Sequence, residues 1–160
     1  MLPTLFLSHG SPMTVITDTP GHRFLAGLAA SLPRKAPKKP RPTRYGVHFH
    51  LTNHQNQLLL RTRPQSGLLG GMVELPGPIW RERPWSPDEA VAEAPQRADW
   101  RHLGQIEHDI THFHLKIDVY SAQLPTIQAE GFLRHRQALG DEALPTVMKK
   151  CLKLAEAYLK

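Results

Sequence analysis

RPQSGLLGGMVELPG, residues 63–77, sets a polar, glycine-containing loop ahead of a short apolar run and a Pro-Gly pair. Such a segment reads as a loop leading into a strand. The stretch also straddles the end of an unusual charge block. Residues 34–73 carry eight bases and no acid: Arg34, Lys35, Lys38, Lys39, Arg41, Arg44, Arg61 and Arg63. Residues 1–33 sum to zero, and residues 74–160 carry eleven bases against thirteen acids, so the whole net charge of +6 comes from the middle block. A continuous basic block attracts phosphates through counterion release, although a solvated linker has the same composition.

With 160 residues, 40% of them hydrophobic, the chain can bury one ordinary core. The single cysteine, Cys151, leaves no intramolecular disulfide and no four-cysteine zinc or iron–sulfur site within this chain. A reducing, cytoplasmic setting is expected. The opening MLPTLFL lacks the features of a secretory signal, and no segment approaches membrane-spanning length, so a soluble protein without a membrane partner is expected.

Outward from residues 63–77 the periodicity predicts further elements. Val47, Phe49 and Leu51 alternate with His48 and His50 as a half-buried strand, Asn53 to Asn56 makes a turn, and Gln57 to Arg63 returns as a hairpin partner. Ser86-Pro87-Asp88-Glu89 has Ser as N-cap, Pro at the first helical position and Glu at the third, which starts a helix through about Ala94. His112 to Ser121 reads as the clearest strand, with Phe113, Leu115, Ile117 and Val119 on one face, and His102 to Asp109 as its neighbour. Val147, Met148, Cys151, Leu152, Ala155 and Leu159 form the apolar stripe of a closing helix. The fold class is therefore α+β, a mixed β-sheet flanked by helices.

Ahead of this domain, LPRKAPKKPRP (32–42) holds four prolines and five bases and suits an extended tether. Before it, Leu2 to Leu7 reads as a strand, Ser8 to Pro12 as a turn and Gly21 to Ser31 as a short amphipathic helix. The expected division is an N-terminal strand-helix arm over 1–32, a Pro-rich basic tether over 33–44 and the α+β domain over 45–160.

Residues 63–77 also resemble the entrance to a Nudix box. The hydrolases that carry this box hold Mg²⁺ through several carboxylates. Counted from Gly77, the first Glu position falls on Arg83 and the helix positions on Val91, Ala92, Pro95 and Gln96. Shifted registers recover only Glu82 or Glu93 singly. The resemblance thus implies recognition rather than metal-dependent hydrolysis.

From about Pro33 to Lys160 the chain resembles the C-terminal, Nudix-like domain of A/G-specific adenine DNA glycosylases. Four blocks in order carry the likeness: PRKAPKKPRPTRYG, LLLRTRPQSGLLGGMVELPG, EHDITHFHLKIDVYSA and ALPTVMKKCLKLA. The resemblance implies a domain that recognises 8-oxoguanine opposite a mispaired adenine. In that family an aromatic residue, a Ser or Thr and a His precede the long strand and meet the oxidised guanine. The matching positions are Ile110, Thr111 and His112. A hydroxyl can pair with a lesion-specific base edge, and a His can serve phosphate or base. Ile110 departs from the pattern, and loses the stacking of an aromatic, on the order of 1–3 kcal/mol per base. Without the resemblance, Thr111 and His112 would simply begin a strand. Lys38, Lys39, Arg41 and Arg44 are the accompanying phosphate-binding candidates.

The family's catalytic helical domain and its four-cysteine cluster find no counterpart here, so no catalytic residue and no cofactor are assigned. Residues 1–33 instead resemble the start of 4,5-DOPA-type extradiol ring-cleavage dioxygenases, on MLPTLFLSHGSPM and RFLAGLAASLPR. There the SHGSP histidine, here His9, ligates metal, but the further ligands are not reached before Leu32-Pro33-Arg34. The i, i+2 pairs His48/His50 and His112/His114 are weak metal candidates that could converge if their strands are neighbours. The expected function is a DNA-binding 8-oxoguanine-recognition module for base excision repair, acting on double-stranded DNA in the cytoplasm at the nucleoid, with a separate glycosylase catalytic domain as a candidate partner. Two alternatives stand: a divergent Nudix pyrophosphohydrolase of the 8-oxo-dGTP type, and a fusion remnant without independent activity.

Overall fold

The computed structural model describes residues 18, 20–31 and 40–158. The chain divides into two compact units, residues 1–39 and 40–160. In the first, helix α1 spans Pro20–Ser31, one residue longer than its apolar spacing predicts, and Arg23 pairs with Asp18 at 2.9 Å. The predicted strand Leu2–Leu7, the turn Ser8–Pro12 with His9, and the tether bases Arg34, Lys35, Lys38 and Lys39 lie outside the described residues.

The second unit is a mixed sheet with helices on its faces, as expected. Its strands are β1 (Thr43–Asn53), β2 (Gln57–Thr62), β3 (Val73–Glu74), β4 (Arg101–Asp109), β5 (His114–Leu124) and β6 (Phe132–His135). The order is β3-β2-β1-β5-β4, with β6 also pairing β2. β1 and β5 run parallel, and the other pairs are antiparallel. β1 begins at Thr43, inside the stretch read as tether, because Thr43 and Arg44 find ladder partners in His114 and Leu115.

The turn between β1 and β2 falls where Asn53 predicts it. The Asn53 side-chain oxygen accepts the amide hydrogens of Gln55 at 3.0 Å and Gln57 at 2.9 Å, and Asn56 adopts a left-handed φ of 61° that an Asn tolerates. Helix α2 (Pro87–Ala92) carries the expected capping box: Glu89 N–H donates to the Ser86 hydroxyl, and Ser86 N–H donates to the Glu89 carboxylate. Helix α3 (Thr146–Tyr158) buries Val147, Met148, Cys151, Leu152 and Ala155.

One expectation needs correction. β1 is not half-buried, since every residue from Gly46 to Asn53 is enclosed. It lies centrally, with both sheet faces covered. Leu58, Leu60, Leu115, Ile117 and Val119 pack with the α3 residues, whereas Val47, Phe49 and Tyr120 pack with Ala90 of α2. Alternation along β1 therefore separates two interiors rather than core from water.

Segment 76–81 lies along β1: Phe49 N–H donates to the Pro76 carbonyl at 2.8 Å, and Tyr45 and Arg81 exchange both backbone bonds. Gly77 is required there. A Cβ at this position would stand 2.1 Å from the Val47 carbonyl oxygen, a distance that only a missing side chain accommodates.

Candidate nucleic-acid interface

β4 and β5 are joined by a tight hairpin whose tip is Thr111-His112. Ile110 N–H donates to the Phe113 carbonyl at 2.9 Å, and Phe113 N–H returns to the Ile110 carbonyl at 3.3 Å. The long strand accordingly starts at His114, not at His112, because this closed pair takes residues 110–113 out of the ladder. Thr111 and His112 are exposed. Ile110 is partly buried: it packs on the main core and keeps the rest of its side chain at the hairpin surface.

Two of the predicted basic residues reach the same hairpin. Arg41 Nη1 donates to the Ile110 carbonyl at 3.4 Å, and the Arg44 guanidinium lies 5.0 Å from the centre of the Phe113 ring. His114 N–H donates to the Pro42 carbonyl at 2.9 Å, which extends the parallel β1–β5 ladder to the base of the tip. The structure thus brings together Arg41, Arg44, Ile110, Thr111 and His112, whose separation in sequence is about seventy positions. Lys38 and Lys39 lie outside the described residues.

Below the tip sits a charged cluster that sequence reading missed. His114 Nδ1 is 2.7 Å from Asp109, its Nε2 3.4 Å from Glu107, and Lys116 Nζ 2.9 Å from Glu107. The hydrogen bond from His114 holds the Asp109 carboxyl below its ordinary range, and Lys116 does the same for Glu107. Nearby, Lys150 Nζ donates to the Glu107 carbonyl at 2.9 Å. Burial, followed by the Lys150 charge, pushes the His108 pKa down.

Arg61 and Arg63 are used differently from Arg41 and Arg44. Both hold the Glu74 carboxylate, which is 1% exposed: Arg61 Nη2 approaches at 2.7 Å, and Arg63 pairs with the second oxygen. The Arg63 guanidinium lies 4.8 Å from the centre of the Trp80 ring, and Trp80 Nε1–H donates to His48 Nε2 at 3.2 Å. Two of the eight bases are therefore used internally, so the charge count overstates what phosphates could meet. Glu74 could have been suspected as the first acid after the basic run.

The weak metal candidates do not converge. Although β1 and β5 are neighbours, the register sets His114 opposite Thr43, while His48 and His50 face Val119 and Ser121. His48 Nε2 accepts from Trp80, so Nδ1–H donates to the Leu75 carbonyl at 2.8 Å, which defines one neutral tautomer. His50 Nδ1 is 3.0 Å from the Ser121 hydroxyl. Burial pushes both imidazoles down to about 4. Cys151 is also buried, its thiol pushed up to about 12, as a core residue rather than a nucleophile.

Beside Glu74 opens a cleft of about 980 Å³ with Arg61, Arg63, Gly67, Ile79, Pro95 and Glu130 among its walls. Its chemistry does not suit the Mg²⁺ that a Nudix hydrolase carries. Glu74 already serves two arginines, and Glu82 and Glu93 are exposed and off the cleft wall. Among the described residues no three His, Cys, Asp or Glu side chains are grouped to hold a metal ion. No helix among them is long and apolar enough to cross a membrane.

The family described as NUDIX domain matches residues 47–154. The human protein named adenine DNA glycosylase is 32% identical over 104 residues, which cover 59% of this chain and 19% of that protein. The chain thus spans about a fifth of the length of this curated relative. Among solved structures, the complex between the C-terminal domain of mouse MUTYH and human PCNA aligns at a TM-score of 0.55 and 26% identity, covering 72% of this chain and 88% of that one. The MutT protein of Methanosarcina mazei Go1 aligns at a TM-score of 0.56 and 17% identity, over 77% of this chain and all of that one (100%), a likeness of fold alone.

Proposed function

The chain belongs to the NUDIX domain family, and from that premise we propose that it is a DNA-binding module that recognises 8-oxoguanine opposite adenine, as part of an adenine DNA glycosylase system. The observation that carries this reading is the single hairpin end on which Arg41, Arg44, Thr111 and His112 come together. Exposed Thr111 and His112 offer a hydroxyl and an imidazole to a base edge, while Arg41 and Arg44 supply sequence-independent attraction to the backbone. The likeness to human adenine DNA glycosylase supports the choice among Nudix relatives. In this reading the excision chemistry comes from a separate glycosylase domain, and the module works where DNA is, in the nucleoid of the cytoplasm.

Fluorescence anisotropy with matched duplexes tests it. Tighter binding to 8-oxoguanine opposite adenine than to the undamaged duplex, with a steep salt dependence, is the expected result. Equal affinity for both overturns lesion recognition, and no affinity for either favours a fusion remnant. The NUDIX family match, rather than the cleft beside Glu74, favours a second reading, a divergent pyrophosphohydrolase acting on an oxidised nucleotide such as 8-oxo-dGTP. Pyrophosphate release from 8-oxo-dGTP, lost on changing Glu82 or Glu93, would establish that alternative.

A further inference from the structure

On the α2 face of the sheet, away from the β4–β5 hairpin tip, lies a second pocket of about 430 Å³. Its walls include Trp85, Trp100, His102 and Tyr120, with the carboxylates of Asp88 and Asp118, and no Lys or Arg lines it. In a chain of net charge +6 this is a local inversion of sign. We infer that this pocket binds an arginine side chain presented by a partner polypeptide.

The aromatic walls are set in advance. Trp85 Nε1–H donates to the Tyr45 carbonyl at 3.2 Å, and Trp100 Nε1–H to the Gln96 carbonyl at 3.1 Å. Trp100 packs at 4.8 Å against the buried Phe49 ring, and His102 lies 4.9 Å from Tyr120. With their polar edges satisfied, the indoles offer ring surface, whose negative face attracts a cation. The molecule already makes one such contact: the Arg81 guanidinium lies 3.5 Å from the centre of Trp85, with Nη2 donating to the Pro84 carbonyl at 2.7 Å. Arg81 does not line the pocket and occupies one ring face only.

The carboxylates are held but not exhausted. Asp118 is met by His102 Nε2 at 3.0 Å and by Gln105 Nε2 at 3.3 Å, which leaves acceptor capacity on its two oxygens. Asp88 stands in the first turn of α2, where the capping box fixes the backbone. Val91, 40% exposed, provides apolar surface at the rim for an aliphatic stem. A planar guanidinium both stacks on an indole and forks onto a carboxylate, which a compact ammonium cannot do.

The test is ¹H–¹⁵N NMR on the full chain, titrated with the capped tripeptide Ac-Gly-Arg-Gly-NH₂ and with its neutral isostere containing citrulline. The indole N–H signals of Trp85 and Trp100 are expected to shift to saturation with the arginine peptide, while Trp80, buried in the other core, stays in place. The double variant D88N/D118N should weaken binding about tenfold at an unchanged melting temperature. No saturable shift overturns the inference, and so does an equal response to citrulline. A lysine tripeptide that binds as tightly as the arginine one overturns the guanidinium assignment.

Discussion

His114 donates its backbone N–H to the carbonyl of Pro42 at 2.9 Å, which pins the entrance of the domain to the foot of the β4–β5 hairpin. Through this bond Arg41 is held beside Ile110, and Arg41 shares one surface with the hairpin tip. A division of labour between them follows. Arg41→Ala is expected to weaken binding to lesion-containing and undamaged duplexes equally and to lower the salt slope by about 1. Thr111→Val with His112→Ala should instead act only on the lesion duplex, reducing discrimination about tenfold. Anisotropy at several salt concentrations separates the two, and a lesion-specific loss from Arg41→Ala would break the division.

Ile110 is the position at which the family resemblance implies an aromatic, and its side chain packs partly on the main core. Ile110→Phe is expected to restore a stacking surface and tighten lesion binding by roughly 1 kcal/mol, about fivefold. Thermal melting run in parallel should show little gain or a small loss of stability, since the larger ring displaces core contacts. Unchanged affinity in a folded variant would show that position 110 does not meet the base.

Glu74 is a buried carboxylate with two guanidinium partners. Glu74→Gln keeps the shape but leaves both arginines without their counter-charge. The expected loss, measured by urea unfolding, is about 2–3 kcal/mol, below the usual figure for a fully buried pair because the Arg61 side chain is 41% exposed. Replacing Glu74, Arg61 and Arg63 together by methionine should recover part of the loss. A neutral effect of Glu74→Gln alone would mean that solvent screens the triad.

The buried histidines make stability depend on acid. Burial lowers the folded-state pKa of His48 and of His50 from 6.5 to about 4, against the Glu74 charge near His48 and with the Arg136 charge near His50. The unfolded chain protonates first, near pH 6.5, so these groups favour folding above that value and the advantage drains away as pH falls toward 4. The loss is roughly 3 kcal/mol per histidine over that interval. Urea unfolding from pH 7.5 to 4 should trace it, and His50→Gln should flatten part of the slope. A pH-independent midpoint would contradict the burial.

Much of this was legible in the residues themselves. Alternation at 113, 115, 117 and 119 marks the strand that buries those side chains, Ser86 with Glu89 marks a helix start, and the α3 stripe names the residues that face the core. These signals are local, because strand period, capping and helical spacing act within one to four residues. The Ile110-Thr111-His112 triplet was singled out by family resemblance rather than local physics, and its part in lesion contact is the proposal that the duplex assays test.

Which charges are neutralised internally is set by the pairing of distant strands. Arg61 stands directly opposite Glu74 in the β2–β3 register, and Arg44 reaches Phe113 because β1 runs parallel to β5. The tertiary structure also decided that His48 faces an interior rather than water, since the cover on that face of β1 comes from Leu75 and Trp80, about thirty positions onward in the chain. Pairing register and the layering of faces are set by the summed burial of the whole sheet, a quantity that no single window of sequence contains.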